Sequence, residues 1–374
     1  MMHIPVAYWF LVISFVLSFI LGWGLIPRVL VISHKHKLFD MPDDRKVHDM
    51  PIPRLGGLTF FPVIVITISL LMGIRYLNGW SIINVSSREV FVEFMLLLSG
   101  SCTLYVVGVG DDLVGVSYRQ KFVAQIICGG MLAISGLWLH SLGNFLGISN
   151  IPMWLGTLIT IFITVYITNA FNLIDGIDGL ASGLTAIALG VFAIIFILEQ
   201  QLIYAMIACS TLGVIVPFWF YNVFGNRKKG KKIFMGDTGS LTLGFIMSFL
   251  LLRIILTSYQ QNGTPGFILV AISALLIPSF DVVRVAVHRM RKHRNPFKPD
   301  RNHIHHKLLR CGMRMQNVLI TIISLDIFYI ILNYLLRRCL NITVILLLDG
   351  ILWCILHMIL NKQIKKIEGT PHSV

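Results

Sequence analysis

The sequence predicts an all-α fold, a polytopic bundle of about eleven membrane-spanning helices, each needing ~20 apolar residues to cross a ~30 Å hydrocarbon core. Three observations carry that prediction. Composition is the first: 56% of the 374 residues are hydrophobic and only 13% charged, with a mean hydropathy of +0.80, too little polar surface for a water-soluble domain of this size. The second is the repetition of long apolar runs, near 6–27, 56–77, 90–110, 121–139, 151–170, 180–198, 203–222, 238–257, 266–287, 316–336 and 341–360. The third is the placement of charge. With the amino terminus outside and the carboxyl terminus cytoplasmic, all but Arg75, Arg88, Arg253, Arg337 and Arg338 of the 31 Lys and Arg fall on the cytoplasmic side, as the positive-inside rule requires.

Taking the runs in order, the first is a span and not a cleavable signal, because no basic segment precedes it and no small-residue cleavage site follows Pro27-Arg28. The remaining runs are joined by short connections. On the cytoplasmic side these are 33–55, 111–120, 171–179, 223–237 and 288–315, and the last alone is long enough to fold over a site. One catalytic membrane domain, 1–374, accounts for the chain. Six scattered cysteines form no Cys-x-x-Cys pair, so neither a disulfide framework nor a zinc cluster is expected. The net charge of +14 is one-sided, which suits anionic headgroups and a polyanionic substrate. Nucleic acid is excluded as a partner, since the basic residues are divided among short loops. A homodimer is compatible with the sequence.

Five carboxylates interrupt this oily background: Asp111, Asp112, Asp175, Asp178 and Asp237, each at the edge of an apolar run. An ionised group at membrane depth costs ~2.5–3.5 kcal/mol on insertion scales, so it persists where it faces a wet cavity and has work to do. In Asn172-Leu-Ile-Asp175-Gly-Ile-Asp178-Gly179, the glycines would serve a plain turn, but two carboxylates and an amide exceed what a turn needs and suit Mg²⁺ ligation or nucleotide contacts. The adjacent pair Asp111-Asp112 demands a nearby cation, a metal or Arg119 and Lys121, although a solvated loop would carry the same letters. Phe234-Met-Gly-Asp237-Thr-Gly-Ser240 opens a span, where free N–H groups cradle phosphate or Asp237 simply caps the helix. In Arg301-Asn-His303-Ile-His305-His306, no cysteine or well-spaced carboxylate completes a zinc tetrahedron, so the histidines read as donors to phosphate oxygens. The run Arg227–Lys232 reads as a topogenic charge cluster.

At these places the chain resembles the polyprenyl-phosphate N-acetylhexosamine-1-phosphate transferases, the glycosyltransferase family that holds the WecA/TagO-type enzymes and the related MraY type. The resemblance extends from about Arg45 to Arg314, through Arg45-Lys-Val-His48, Pro53-Arg54-Leu-Gly-Gly57 and the motifs above, with Asn222 and Asp281. It implies Mg²⁺-dependent (or Mn²⁺-dependent) transfer of a sugar 1-phosphate from a UDP-amino sugar to polyprenyl phosphate, with release of UMP. By that likeness Asp111, Asp112 and Lys121 are the catalytic group, Asp111 being the base for the lipid phosphate, and Asp237 and Asn172 hold the metal. Asp175, Asp178, Asn222, Phe234, His303, His305, His306, Arg301, Arg54 and His48 would bind substrate, with the Phe234 ring stacking on uracil. Ile304 interrupts the three successive histidines of the MraY type and so favours the WecA/TagO branch. Two rivals remain. A secondary transporter would place its carboxylates nearer the midplane, and a UbiA-type prenyltransferase would space them as Asn-x-x-x-Asp and Asp-x-x-x-Asp.

Overall fold

The computed structural model describes residues 4–40, 51–79, 87–141, 145–148, 150–260, 266–293 and 302–368. Its helices follow the apolar runs in order. They are α1 (Ile4–Lys35), α2 (Phe60–Leu77), α3 (Ser87–Val114), α4 (Tyr118–Ile134), α5 (Met153–Ile174), α6 (Leu180–Leu198) and α7 (Leu202–Phe224). After these come α8 (Gly236–Gln260), α9 (Gly266–Ser273), α10 (Leu276–Arg291), α11 (Ile304–Arg310), α12 (Met315–Leu336) and α13 (Ile342–Glu368). A two-residue antiparallel pairing, β1 (Phe39–Asp40) with β2 (Ile52–Pro53), is the sheet among the described residues.

Among the described residues, nine helices are long and apolar enough to cross a membrane, and ten spans result if α9 and α10 count as one. The protein is therefore an all-α polytopic membrane protein, with two departures from the expected eleven plain spans. The run near 121–139 folds as α4, only 17 residues long, with a start defined by the reciprocal capping of Ser117 and Gln120. The run near 266–287 is bent by 65° between α9 and α10. Pro278 explains the bend, because it has no N–H for the Ala274 carbonyl one turn back and its ring crowds that carbonyl.

Helix α8 is the buried axis, with 94% of its apolar stretch inside the protein, whereas α13 has 22% and lies at the periphery. Close approach to α8 needs small residues: a Cβ on Gly108 of α3 would come within 2.4 Å of the Thr238 backbone. Because successive helices alternate in direction, the ends of α3, α5, α7 and α10 and the starts of α4, α6 and α8 fall at one end of the bundle. That end carries the motifs.

Candidate functional site

The site is organised around the first turn of α8. Gly236, with φ of +75°, lets the chain enter that helix, and a Cβ there would strike Asp112 and the Arg54 carbonyl. The orphan N–H groups of the turn are then satisfied from another helix. Asp112 accepts from Asp237 N at 2.9 Å, Thr238 N at 3.0 Å and Thr238 Oγ1 at 2.6 Å. A buried carboxylate at a helix start is favoured by both hydrogen bonding and the helix dipole. Arg54 seals the same junction by donating to the Asp112 backbone carbonyl from Nη2 at 2.8 Å and Nε at 3.1 Å.

With α8 held in this way, Asp237 projects towards α3, α4 and α5. Lys121 Nζ bridges Asp237 Oδ2 at 2.7 Å and Asp111 Oδ2 at 3.1 Å. The other oxygens are also engaged: Asp237 Oδ1 accepts from Asn172 Nδ2 at 2.8 Å, and Asp111 Oδ1 accepts from Val116 N at 2.6 Å. Asn172 Nδ2 reaches Ser240 Oγ as well, at 2.9 Å. Asp111, Lys121, Asn172 and Asp237, remote in sequence, thus form one polar cluster.

The Asp175–Gly179 turn lies beside this cluster. Asp175 reaches solvent but is crowded by protein and by the charges of Asp237, Asp178 and Asp112; burial first, then those charges, push its carboxyl from 3.8 up to about 7. Asp178 faces away towards a basic pair, Lys232 at 2.5 Å and Arg227 at 3.3 Å. The reading of Arg227–Lys232 as a topogenic cluster alone therefore needs correction, since Lys232 is buried in an ion pair. Asn222 ties two backbones together, accepting from Gly179 N at 2.5 Å and donating to the Ile233 carbonyl at 2.8 Å. Phe234 is fixed through its backbone, its N–H donating to the Pro53 carbonyl and its carbonyl accepting from Gly56 N.

The histidines arrive on α11. Asp281 of α10 receives His303 Nδ1 at 2.7 Å and Ile304 N at 3.0 Å, and Arg284 completes the corner by donating to Asp281 and to the Asn302 carbonyl. His305 is 1% exposed and lies against Gly176, where a Cβ would come within 2.1 Å of its Nε2. Burial, chiefly, lowers its pKa to about 3, so the ring is neutral. The His306 ring lies beside it, tilted by 46°, 4.3 Å between ring centroids. His48 and Arg301 lie outside the described residues. Sequence reasoning quoted Thr238 and Ser240 within a motif but gave them no role, and it missed Arg284, which lies beside Asp281, and Lys232, which its basic neighbours disguise.

No group of three or more His, Cys, Asp or Glu side chains is arranged to hold a metal among the described residues. The donor chemistry nevertheless fits a hard divalent ion: two carboxylates from different helices converge on one positive charge, here the Lys121 ammonium, with an amide and a hydroxyl adjoining.

Fold and site together define a polytopic membrane protein with a clustered acidic and basic centre at one end of its bundle. Residues 94–255 match the model of glycosyl transferase family 4. The chain is 32% identical over 295 residues to the undecaprenyl-phosphate alpha-N-acetylglucosaminyl 1-phosphate transferase of Yersinia pestis, covering 78% of this chain and 75% of that protein. It is 30% identical over 319 residues to the probable undecaprenyl-phosphate N-acetylglucosaminyl 1-phosphate transferase of Bacillus subtilis, covering 84% and 82%. Identity to the Salmonella typhimurium protein named as in Yersinia pestis is 33% over 296 residues, covering 78% and 75%. The chain belongs to glycosyl transferase family 4 and is a phosphosugar transferase.

Proposed function

We propose that this enzyme transfers N-acetylglucosamine 1-phosphate from UDP-N-acetylglucosamine to undecaprenyl phosphate, releases UMP, and so starts a lipid-linked cell-surface glycan. The supporting observation is the Asp111–Lys121–Asp237 bridge, which gathers three helices around one polar centre at the end of the bundle that bears the motifs. In the reaction an oxygen of the lipid phosphate attacks the β-phosphorus of the nucleotide sugar, and the bond from that phosphorus to the bridging oxygen breaks. UMP leaves with the bridging oxygen. Asp111 takes any proton that the lipid phosphate carries, at the oxygen that faces Lys121. Lys121 offsets the charge of the two carboxylates and meets the phosphates as they enter. Asp237 and Asn172, with Asp111, would hold Mg²⁺, or Mn²⁺ in its place, and the ion supplies positive charge to the phosphoryl oxygens as negative charge spreads in the transition state.

Asp112 acts through α8: its three hydrogen bonds hold the helix turn that aims Asp237. On the nucleotide side, Asp175 and Phe234 meet uridine, and Asn222 and Asp178 keep the two loops that carry them in register. His303, His305, His306 and Arg301 approach the diphosphate and sugar from α11 and the segment before it, while Arg54 and His48 close the site from the segment preceding α2. The charge asymmetry supports a cytoplasmic position for this end, where UDP-sugars are made, with the amino terminus outside. Purified protein given UDP-N-acetylglucosamine, undecaprenyl phosphate and Mg²⁺ should release UMP only when all three are present. UMP release without the lipid, or none with it, would overturn the proposal.

A further inference from the structure

Helix α11 has seven residues, under two turns, and a helix that short has little stability of its own. Its position must come from neighbours. At its start, Asp281 and Arg284 hold His303, Ile304 and Asn302. Along its other side it leans on α13. Lys307 Nζ donates to Asn361 Oδ1 at 2.7 Å and sits 3.4 Å from His357 Nδ1. Arg310 donates to Glu368 at 2.7 and 3.1 Å.

These two links differ in weight. The Arg310–Glu368 pair is exposed, and such pairs contribute little. Lys307 is 7% exposed, and a buried ammonium that lost its one short acceptor would keep only the longer contact to His357. Asn361 lies well beyond 94–255, the stretch shared with the family model.

We propose that Asn361 of α13 is a positioning residue for transfer, acting through Lys307 to seat α11 so that His305 and His306 stand over the Asp175–Gly179 turn. The proposal rests on the reading that the α11 histidines meet the donor diphosphate. Asn361 touches neither substrate; it fixes the histidines through Lys307. The peripheral α13 thereby reaches the site chiefly through one short, part-buried hydrogen bond. Loss of that bond would let α11 swing while the bundle stays folded, and the donor side of the site would loosen before the lipid side.

Two variants in the full-length enzyme test this. Asn361→Leu removes the acceptor, and Asn361→Asp retains one. In Asn361→Leu the KM for UDP-N-acetylglucosamine should rise about tenfold, as for loss of one charged hydrogen bond, while the KM for undecaprenyl phosphate and the melting temperature stay near the parent's. Asn361→Asp should restore the parental KM. Carbethoxylation of His305, read by mass spectrometry without any substrate, should be negligible in the parent and in Asn361→Asp and evident in Asn361→Leu. This arm does not depend on turnover, so a parent that transfers no sugar phosphate would refute the proposed function separately. Unchanged His305 reactivity, an unchanged donor KM, an equal rise for both substrates, or failure of Asn361→Asp to restore would each overturn the positioning role.

Discussion

Two sets of aspartates sit in this bundle, and they are treated differently. At the motif-bearing end, Asp111, Asp112 and Asp237 have every carboxylate oxygen engaged by an ammonium, a backbone N–H, a hydroxyl or an amide. In the carboxyl-terminal hairpin, Asp326 of α12 is fully buried with neither oxygen hydrogen-bonded, and Asp349 of α13 has one oxygen held by Asn333 and the other bare. No cation accompanies the second pair in an ion bridge among the described residues. The first set is met at every oxygen by a donor, and at Asp111 and Asp237 by a cation. The second is left with bare carboxylate oxygens, so burial of an acid alone does not mark the active centre.

The sharpest way to break that comparison is to neutralise one member of each set. Asp237→Asn should lower Mg²⁺-supported turnover by ~10²-fold or more, the cost of removing one main transition-state charge partner. Asp326→Asn should leave turnover near the parent's. Comparable losses from both, in folded protein, would erase the distinction.

Within the motif-bearing end, lipid and nucleotide roles can be separated by calorimetry on detergent-solubilised protein. Asp111→Asn should abolish transfer and leave UDP-sugar affinity largely intact. Phe234→Ala should weaken that affinity by ~1–3 kcal/mol, the range for a base stacked on an aromatic ring. The reverse pattern would exchange the two roles.

A smaller effect is expected at Asp112, whose role is to cap α8. Asp112→Ala should destabilise the protein by ~0.5–2 kcal/mol, as for other lost helix caps, and slow turnover through a displaced Asp237. Parental denaturation midpoint and rate together would contradict the cap.

The smallest effect is the pH dependence of Asp175. Its carboxyl is raised from 3.8 to about 7 in the folded chain, by burial first and then by Asp237, Asp178 and Asp112. Between those values the folded chain keeps a proton that the unfolded chain has lost. The associated stability is full below pH 3.8 and gone above about 7. Melting temperatures measured without divalent ions should therefore show Asp175→Asn gaining on the parent as pH rises through that window. A constant difference would remove the shift, which solvent contact already tempers.

The helical bundle and the five motif carboxylates were legible because both follow from one-dimensional cost: apolar length, and charge where charge is expensive. That cost does not sort by role, and Glu93, Asp326 and Asp349, also within apolar runs, drew no notice. Nor could spacing show that Asp112 caps a helix whose first turn begins 124 residues later in the chain, at Gly236. Asn222 entered the sequence reading by resemblance alone, because its two backbone partners, Gly179 and Ile233, come from different loops and leave no local pattern. The break between α9 and α10 was readable in principle from Pro278, and the short α4 from its capping Ser117 and Gln120.

The central claim is that a sugar 1-phosphate, not a sugar, moves to the lipid. UDP-N-acetylglucosamine labelled at the β-phosphorus separates these outcomes directly when incubated with the enzyme, undecaprenyl phosphate and Mg²⁺. The account predicts the label in the organic-extractable lipid and unlabelled UMP in the aqueous phase. Label retained in released UDP, or no labelled lipid from the folded enzyme, would contradict it.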